Sequence, residues 1–355
     1  MPDEYTSAAT SARHSKLLIA TACCLTLGSV IGGIIRFGPR DEVQSLAVLF
    51  YATPQLVLTA AAVLSVVLVR KQKTKLAWPI ISVAIIQCCL LLPAWNRPGV
   101  ETQPKGSVTL GFWNVGGGGL GWNGIAKQTK SWNADIIGLA ESNVDTVDGS
   151  DHSQQGFWEN QFPQHTILQF PRGMRLITKY PARLVSEGEL AERSHYGIAE
   201  VQINGEAVNV VMADLLSGPQ RPRGPSFDAL IDVLDSLPQG PVILMGDMNT
   251  PTESVHINAL RGRLGNAFEE QGHGFYCTWP TPCPVLALDQ VWTNDAVEIA
   301  SCELEWTMHS DHRPMVSTFN LKPDRAPRLD FQFTTLTRLD SDDLESHQTQ
   351  GGLIE

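Results

Sequence analysis

The sequence is poor in cysteine, in charged residues and in basic clusters. Its 355 residues include 7 cysteines and 30 glycines, and 18% of them are charged. So few cysteines exclude a small protein held together by disulfides, and so few glycines exclude a collagen-like chain. The formal net charge of −11 argues against a basic nucleic-acid-binding module. A chain of this length forms one to three domains.

The charge is distributed unevenly along the chain. Residues 1–105 contain 10 Lys and Arg against 5 Asp and Glu, a net charge of +5. Residues 106–320 contain 12 against 25, which gives −13, and residues 321–355 contain 4 against 7, which gives −3. We therefore treat the chain as three regions with different physical properties.

The first region holds three runs without a charged residue, at residues 17–35, 43–69 and 76–95. A helix of about 20 apolar residues crosses the ~30 Å hydrocarbon core of a bilayer, because each residue rises about 1.5 Å. The three runs therefore predict three transmembrane helices. Pro54 predicts a kink in the second run. Trp78 and Trp95 bracket the third run, as interfacial aromatic residues do.

Two other interpretations of these runs stay open at this point. Three buried helices of a soluble protein would also be apolar, although such helices rarely lack charge for so long. The first run also has the character of a cleaved signal peptide, and residues 20–23 resemble a lipoprotein cleavage site. Because two further runs follow at once, we favour an uncleaved anchor.

Positive residues beside the runs predict the orientation in the membrane. Six lie at the N-terminus and between the second and third runs, and four lie on the other side. The excess places the N-terminus in the cytoplasm. The predicted organisation is a cytoplasmic tail (1–16), a membrane domain (17–95) that contacts lipid, a linker (96–105) and a domain on the periplasmic or extracellular face (106–320). An oxidising compartment would permit a disulfide between Cys277 and Cys283.

The second region is predicted to be an α+β domain. Short β-rich runs recur along it, and residues 226–236 have the apolar spacing of a helix. The runs do not alternate strictly with helices, which favours largely antiparallel sheets layered with helices. Residues 321–355 are acidic and poor in hydrophobic residues, so we expect a disordered tail. The predicted strands are 108–113, 136–140, 175–178, 198–203, 208–213, 242–245, 290–292 and 315–319.

Polar side chains stand at or beside the ends of six predicted strands. A single Asp or Asn there is usually a turn residue, but turn formation alone does not account for six. Because strand ends meet along one edge of a sheet, we expect these side chains to converge on one site. The residues are Asn114, Glu141 with Asn143, Asp214, Asp247 with Asn249, Asp289, and Asp311 with His312.

The order of these segments resembles the endonuclease/exonuclease/phosphatase superfamily, which includes deoxyribonuclease I, sphingomyelinases and inositol-polyphosphate 5-phosphatases. The resemblance covers about residues 106–320 and implies a two-sheet β-sandwich with helices on both outer faces. Three preceding spans are similar to a membrane-anchored bacterial branch, some members of which remove phosphate from a lipid carrier. The matching segments are Trp113-Asn114, Leu139-Ala140-Glu141, Gly246-Asp247-Met248-Asn249, Leu288-Asp289-Gln290-Val291 and Ser310-Asp311-His312-Arg313-Pro314.

The resemblance implies hydrolysis of a phosphate ester by in-line attack of water. Such a reaction needs a base, a metal that neutralises charge, donors to the phosphate and stabilisation of the leaving oxygen. His312 has the chemistry of a general base, with a reference pKa near 6.5. In the family pattern Asp289 orients its ring. Asp247 resembles the residue that orients the water or handles the proton of the leaving group.

The resemblance also implies the metal and phosphate ligands. Glu141 is a hard oxygen ligand suited to Mg²⁺, with Mn²⁺ as an alternative, and Asp311 would join the metal shell directly or through water. Asn249 and Asn114 would donate hydrogen bonds to the phosphate. Asn143 is a further candidate for binding the substrate.

Asp214 departs from the family pattern. Many members have a histidine at this strand end, where it serves as the general acid. Either a protonated Asp214 donates the proton here, or the metal alone stabilises the leaving oxygen. The second case suits a pyrophosphate or phosphomonoester. Arg221 and Arg223 follow closely and could clamp a phosphate.

The sequence therefore predicts a membrane-anchored, Mg²⁺-dependent phosphoesterase acting on a phosphate ester or pyrophosphate, with a lipid-linked substrate favoured. The alternative is a metal-dependent endonuclease or exonuclease with its site outside the cytoplasmic membrane. Nucleic-acid affinity comes largely from Lys and Arg side chains that neutralise phosphates. A domain with a net charge of −13 and no basic run argues against a specific nucleic-acid partner.

Overall fold

The N-terminal part of the protein is a packed group of helices. The computed structural model describes residues 3–72, 74–96, 107–119, 121–144 and 154–322. Helix α3 packs against α1 and α4. Between them, Gln55 Nε2 donates to Gln87 Oε1 at 2.8 Å, and Gln87 Nε2 donates to the Ser29 carbonyl at 3.0 Å. The helices are α1 (Asp3–Phe37), α2 (Gln44–Ala52), α3 (Gln55–Val69) and α4 (Ala77–Leu91).

The prediction of three transmembrane helices is wrong. One helix, Arg13–Phe37, is long and apolar enough to cross a membrane, and a second span exists if the bent pair α2 and α3 counts as one. This pair bends by 61°, because Pro54 has no N–H to continue the helix. The predicted kink is therefore a full break. Helix α4 has 15 residues and gives way to a 3₁₀ turn at Leu92–Ala94.

The predicted start of the first helix and the disulfide that the sequence permits also differ from the structure. Helix α1 begins at Asp3, inside the segment predicted as a cytoplasmic tail. Cys277 is a buried free thiol and Cys283 an exposed one, so they form no disulfide. Most of the predicted linker, and all but the first two residues of the predicted tail 321–355, lie outside the described residues.

In the described residues after the N-terminal helices, the strands form two mixed sheets of six strands, with strand orders β13-β14-β2-β3-β5-β4 and β10-β12-β9-β8-β7-β6; β1 pairs with β11. Among the described strands, β2–β3 and β8–β9 are the parallel pairs, which confirms largely antiparallel sheets. The strands are β1 (Trp95–Asn96), β2 (Val108–Asn114), β3 (Ile136–Ala140), β4 (Thr166–Gln169), β5 (Arg175–Thr178), β6 (Ala182–Glu189), β7 (His195–Ile203), β8 (Glu206–Asp214), β9 (Val242–Asp247), β10 (Gly265–Asn266), β11 (Gly274–Phe275), β12 (Asp289–Thr293), β13 (Val297–Leu304) and β14 (Met315–Leu321).

The sheets pack face to face with helices outside, as predicted. In β8, Val210 and Met212 lie in the core between the sheets, whereas Val211 and Ala213 pack with α7, because successive side chains of a strand face opposite sides. Helices α5 and α6 cover the other sheet through residues such as Trp158. The helices of this domain are α5 (Trp122–Ser131), α6 (Gln154–Gln161), α7 (Gly224–Asp235), α8 (Asn258–Arg261) and α9 (Ala267–Gln271).

The connection between α1 and α2 holds the N-terminal helices to the loop after β9. Arg36 pairs with Glu253. The buried carboxylate of Asp41 accepts hydrogen bonds from Ser254 Oγ at 2.6 Å and from the Val255 backbone N–H at 3.1 Å. A buried carboxylate needs such donors to offset its lost hydration. The helices therefore have a specific polar attachment to the sandwich.

An apolar cluster continues this attachment. Phe50 and Tyr51 of α2 pack with Leu286 and Leu288 in the segment that leads into β12, and Ile35 of α1 joins them. Because β12 begins at Asp289, this cluster brings α2 next to the predicted catalytic residues.

Candidate active site

His312 and Asp289 form a buried pair. His312 Nδ1 lies 2.7 Å from Asp289 Oδ2, and Trp113 Nε1 donates to the His312 carbonyl at 2.9 Å. Burial lowers the pKa of His312. The charge and hydrogen bond of Asp289, together with the carboxylates of Asp247 and Asp311, raise it by more than burial lowers it, and the resulting pKa is about 10. Because Asp289 engages Nδ1, the ring nitrogen left for a reaction is Nε2.

Asp247, the last residue of β9, is held by amide donors. Asn114 Nδ2 donates to Asp247 Oδ2 at 2.9 Å, and the Asn249 backbone N–H donates to Oδ1 at 2.9 Å. Burial and the Asp289 carboxylate raise the pKa of Asp247 to about 6, whereas His312 and the two donors oppose this shift. Since Asn114 ends β2 of the other sheet, this contact joins the two sheets at the site.

Glu141 lies at the end of β3 and shares Asn114 with Asp247. Asn114 Nδ2 also donates to Glu141 Oε1 at 3.1 Å. Glu141 has a backbone φ of 51°, in the left-handed region that L-residues rarely adopt. Such local strain persists where the surrounding structure requires it, and it is frequent at functional sites. Glu141 and Asp311 are both exposed, and Asp311 Oδ2 accepts a hydrogen bond from Trp279 Nε1 at 2.9 Å.

The carboxylates around this point fit a divalent cation. Ligand atoms of Asp247, Asp289 and His312 lie within 4.8 Å of one another. Since His312 Nδ1 and Asp289 Oδ2 bond each other, these two atoms are less available than the exposed carboxylates of Glu141 and Asp311. Asp289 Oδ1 is buried without a hydrogen-bond partner among the described residues. Oxygen donors gathered in this way suit a hard cation such as Mg²⁺.

Asp214, at the end of β8, is a buried carboxyl beside Arg172. Arg172 Nε lies 3.4 Å from Asp214 Oδ2. Burial and the charges of Asp247 and Glu141 raise the pKa of Asp214, while Arg172 lowers it, and the resulting pKa is about 7. Asp214 is therefore protonated in a large fraction of molecules near neutral pH, which gives a carboxylic acid that can donate a proton.

The site opens into a cavity of about 470 Å³. Nine of the eleven predicted site residues converge here, because seven line the cavity and Asn114 and Asp289 hold lining residues. Arg221 instead pairs with Glu192 at 3.6 Å, and Asn143 packs near Gly173. Neither is among the lining residues. The seven lining residues are Glu141, Asp214, Arg223, Asp247, Asn249, Asp311 and His312.

Sequence reasoning missed several residues of this cavity. Arg172 sits in a short turn between β4 and β5 and belongs to no recognised motif. Trp279 lies between Cys277 and Cys283, for which the sequence predicted only a possible disulfide. Val48, Tyr51 and Ala52 of α2 also line the cavity, and they were assigned to a transmembrane span. No local pattern marks them, since they reach the site through tertiary packing.

The site and fold define a class of enzyme. The model of the Endonuclease/Exonuclease/phosphatase family matches residues 111–312. The chain belongs to this family and is a metal-dependent phosphoric-ester hydrolase. No curated protein matches its sequence.

Solved structures with similar folds match about three fifths of this chain. A humanized D. rerio TDP2 has 17% identity and a TM-score of 0.48, covering 60% of this chain and 99% of that chain. The catalytic domain of human Nocturnin with bound sulfate has 19% identity and a TM-score of 0.46, covering 64% and 100%. A Bacteroides thetaiotaomicron mannosyl-6-phosphatase has 15% identity and a TM-score of 0.48, covering 61% and 100%.

Proposed function

We propose that the chain is a membrane-anchored, Mg²⁺-dependent phosphoesterase that hydrolyses a phosphate ester or pyrophosphate on a lipid-linked substrate. The observation that supports this most directly is the composition of the catalytic cavity. Asp247 and His312 line it together with the apolar side chains of Val48 and Ala52 in α2. A phosphate beside His312 therefore sits next to the hydrophobic helices, where the lipid part of a substrate would lie.

The outward faces of the helices support a membrane location. Of 23 exposed large hydrophobic side chains among the described residues, 19 precede residue 96. Soluble monomers rarely expose apolar surface on this scale. The polar side chains of Gln55 and Gln87 lie inside the bundle instead, as is common between membrane helices.

The arrangement of the helices supports the proposed orientation. Ser15 in α1 hydrogen-bonds Gln72, so the N-terminal part of α1 lies beside the loop between α3 and α4. In the sequence, six of the ten positive residues of this region belong to this end of the bundle. The opposite end carries Arg36 and Asp41, which contact the sandwich. By the positive-inside rule, the catalytic domain lies on the outer face of the cytoplasmic membrane.

The residues support a mechanism by in-line attack. The positive charge of a bound divalent cation would lower the pKa of His312 from its value in the metal-free protein. Neutral His312 then takes a proton from water through Nε2 while Asp289 holds Nδ1, and Asp247 orients the water. The water oxygen bonds to phosphorus, the bond to the leaving oxygen breaks, and protonated Asp214 supplies a proton to that oxygen. Asn249 binds the phosphate through the Nδ2 hydrogen that Leu215 leaves free, and Asn114 holds the carboxylates of Glu141 and Asp247 in place. Mg²⁺, held by Glu141 and Asp311, would neutralise charge on the phosphate.

Phosphate release by the full chain in detergent micelles tests this proposal. We expect turnover of undecaprenyl phosphate or pyrophosphate with Mg²⁺ or Mn²⁺, and loss of turnover in EDTA. His312→Ala should reduce kcat by about 10² to 10⁴-fold, the usual contribution of a general base. His273→Ala, at an exposed position, is the control. Full activity of His312→Ala would refute the mechanism, and cleavage of plasmid DNA instead of lipid would favour the nuclease alternative.

A further inference from the structure

Arg223 is a buried cation in the catalytic cavity without an acidic partner. Its side chain is 5% exposed, and Nη1 donates to the Leu216 carbonyl. Its Cζ lies 5.6 Å from the centre of the Tyr51 ring. It makes no ion pair with any described residue. A buried charge without a counter-charge is unfavourable, so this position is suited to an anionic ligand.

Three polar atoms around Arg223 point to the same conclusion. Arg223 Nε, the Tyr51 hydroxyl and Thr250 Oγ1 are buried, and none makes a hydrogen bond of good geometry with a described residue. The charge of Arg223 and weak hydrogen bonds from Thr250 and Arg223 act on the Tyr51 hydroxyl, so the three groups face one another without saturating their hydrogen-bonding capacity. Native proteins seldom leave several neighbouring polar atoms unpaired. Oxygen atoms of a bound ligand would complete these hydrogen bonds.

This group adjoins the catalytic residues. Thr250 follows Asn249, whose Nδ2 donates to the Leu215 carbonyl at 2.8 Å. Arg223 is anchored on the next carbonyl of that segment, Leu216. Tyr51, Arg223 and Asn249 line one cavity with His312. A ligand that fills the unpaired positions therefore lies beside a phosphate at the catalytic centre.

We propose that Arg223, Tyr51 and Thr250 form a second anion subsite, which binds the internal phosphate of a lipid pyrophosphate while its terminal phosphate is hydrolysed. The inference rests on the proposed function and names its substrate class as a diphosphate ester. Water oxygen bonds to the terminal phosphorus, and the bond from this phosphorus to the bridging oxygen breaks. The bridging oxygen stays with the internal phosphate. The products are orthophosphate and a phosphomonoester, with release of one proton.

Tyr51 gives the subsite its connection to the helices. Among the groups of the subsite, it is the one that comes from the helices rather than from the sandwich. A diphosphate substrate would therefore be recognised by both regions at once, whereas a monophosphate at the catalytic centre would need the sandwich alone. This difference makes the ratio of activities on the two substrates a direct measure of the subsite.

Kinetics of matched variants test the subsite in the full chain in micelles. Tyr51→Phe keeps the ring against Arg223 and removes the hydroxyl. For farnesyl pyrophosphate we expect kcat/KM to fall about 3- to 10-fold in this variant, and about 10- to 100-fold in Arg223→Gln, as for a lost neutral and a lost charged hydrogen bond. Farnesyl monophosphate should be affected less than twofold. Tyr196→Phe, whose hydroxyl contacts Ser186 at 3.2 Å away from the cavity, is the control.

Calorimetric binding separates this inference from the proposed function. With Mg²⁺ present, methylenediphosphonate should bind the full chain at least about 10-fold more tightly than orthophosphate, and Tyr51→Phe should reduce this preference about 3- to 10-fold. Equal losses for both ligands, or no loss, would overturn the subsite. Lipid turnover without the preference removes the subsite alone, whereas the preference without lipid turnover removes the proposed function alone. Inorganic pyrophosphate, compared with the farnesyl ester as a substrate, distinguishes a soluble from a lipid source.

Discussion

The N-terminal helices and the sheet domain differ in where their large apolar side chains lie. Between the sheets, apolar residues such as Phe112 are fully buried. In the helices, Ile34 and Ile85 are 64% and 58% exposed, whereas Gln55 and Gln87 lie inside. Large apolar side chains therefore face the core in the sheet domain, whereas many of them face the surface in the helical region. This difference is what the proposed membrane location requires, because a lipid-facing helix gains nothing by hiding its apolar side chains.

The two regions also differ in how they treat charge. In the sheet domain, four acidic side chains from different strands meet at one cavity, and the pKa values of Asp214 and Asp247 are raised to about 7 and 6, chiefly by burial. In the helical region, Arg36 forms an ion pair with Glu253 of the sandwich, and Asp41 accepts a hydrogen bond from Ser254. Charge thus concentrates for chemistry in one region and serves attachment in the other. Each prediction below changes one side of this contrast.

Loss of the Asp289 charge should have the largest effect. In Asp289→Asn, His312 loses the acceptor that holds Nδ1 at 2.7 Å, so the ring can adopt the wrong tautomer. We expect kcat/KM to fall at least about 10³-fold, by analogy with the aspartate of a serine-protease triad. The pKa of His312 should also fall, which NMR titration of the metal-free protein would detect. Asp295→Asn, on the exposed turn after β12, should leave both unchanged; an unchanged His312 pKa in Asp289→Asn would contradict the pairing.

The raised pKa of Asp214 should make the metal-free protein lose stability with rising pH. The folded state holds this proton up to a pKa of about 7, against a model value of 3.8. The contribution of Asp214 to the free energy of unfolding is therefore highest below about pH 4. It declines as the pH rises towards 7, by at most about 4 kcal/mol. Chemical denaturation in EDTA between pH 4 and 8 measures the decline. Asp214→Asn should reduce the decline, most of all above about pH 6, and leave the part below pH 6 to which the raised pKa of Asp247 contributes. An unchanged wild-type slope in this variant would contradict the raised pKa of Asp214.

Removal of the Asp41 carboxylate should weaken the attachment between the two regions. In Asp41→Ala, the Ser254 hydroxyl and the Val255 N–H lose their acceptor. Since hydrogen bonds to charged groups contribute about 1.5–3 kcal/mol, we expect the free energy of unfolding to fall by about 2 kcal/mol. Limited proteolysis should also cut the segment around residue 255 faster. The control is Asp228→Ala, at an exposed position in α7; equal behaviour of the two variants would disprove the attachment.

The polar contacts inside the helical bundle should have the smallest effect. Gln87→Leu removes the donor to Ser29 and the acceptor for Gln55. Hydrogen bonds between membrane helices contribute about 0.6–2 kcal/mol, so we expect a loss of about 1 kcal/mol in detergent denaturation and little change in kcat. Ile86→Leu, at an exposed position in α4, is the control. A loss above about 3 kcal/mol would mean that the bundle depends on this network as a soluble core would.

The catalytic motifs could be predicted from the sequence because each is local. Asp247 and Asn249 lie within three residues, and the backbone of Asn249 bonds the carboxylate of Asp247 directly. The strand runs predicted largely antiparallel sheets layered with helices, and the family resemblance implied the two-sheet sandwich. The choice between Arg221 and Arg223 could not be made, because the two residues are chemically alike and only packing turns Arg223 into the cavity.

The charge-free runs and the order of polar strand ends were determined by the sequence itself, since hydropathy and chain order are local properties. Tertiary structure decided that α2 breaks from α3 at Pro54 and lies against Leu286 and Leu288. It thereby brought Tyr51 to the catalytic cavity, more than 170 positions along the chain from Arg223 and 261 from His312. Contacts over such separations depend on the packing of many other residues, and no local pattern encodes them.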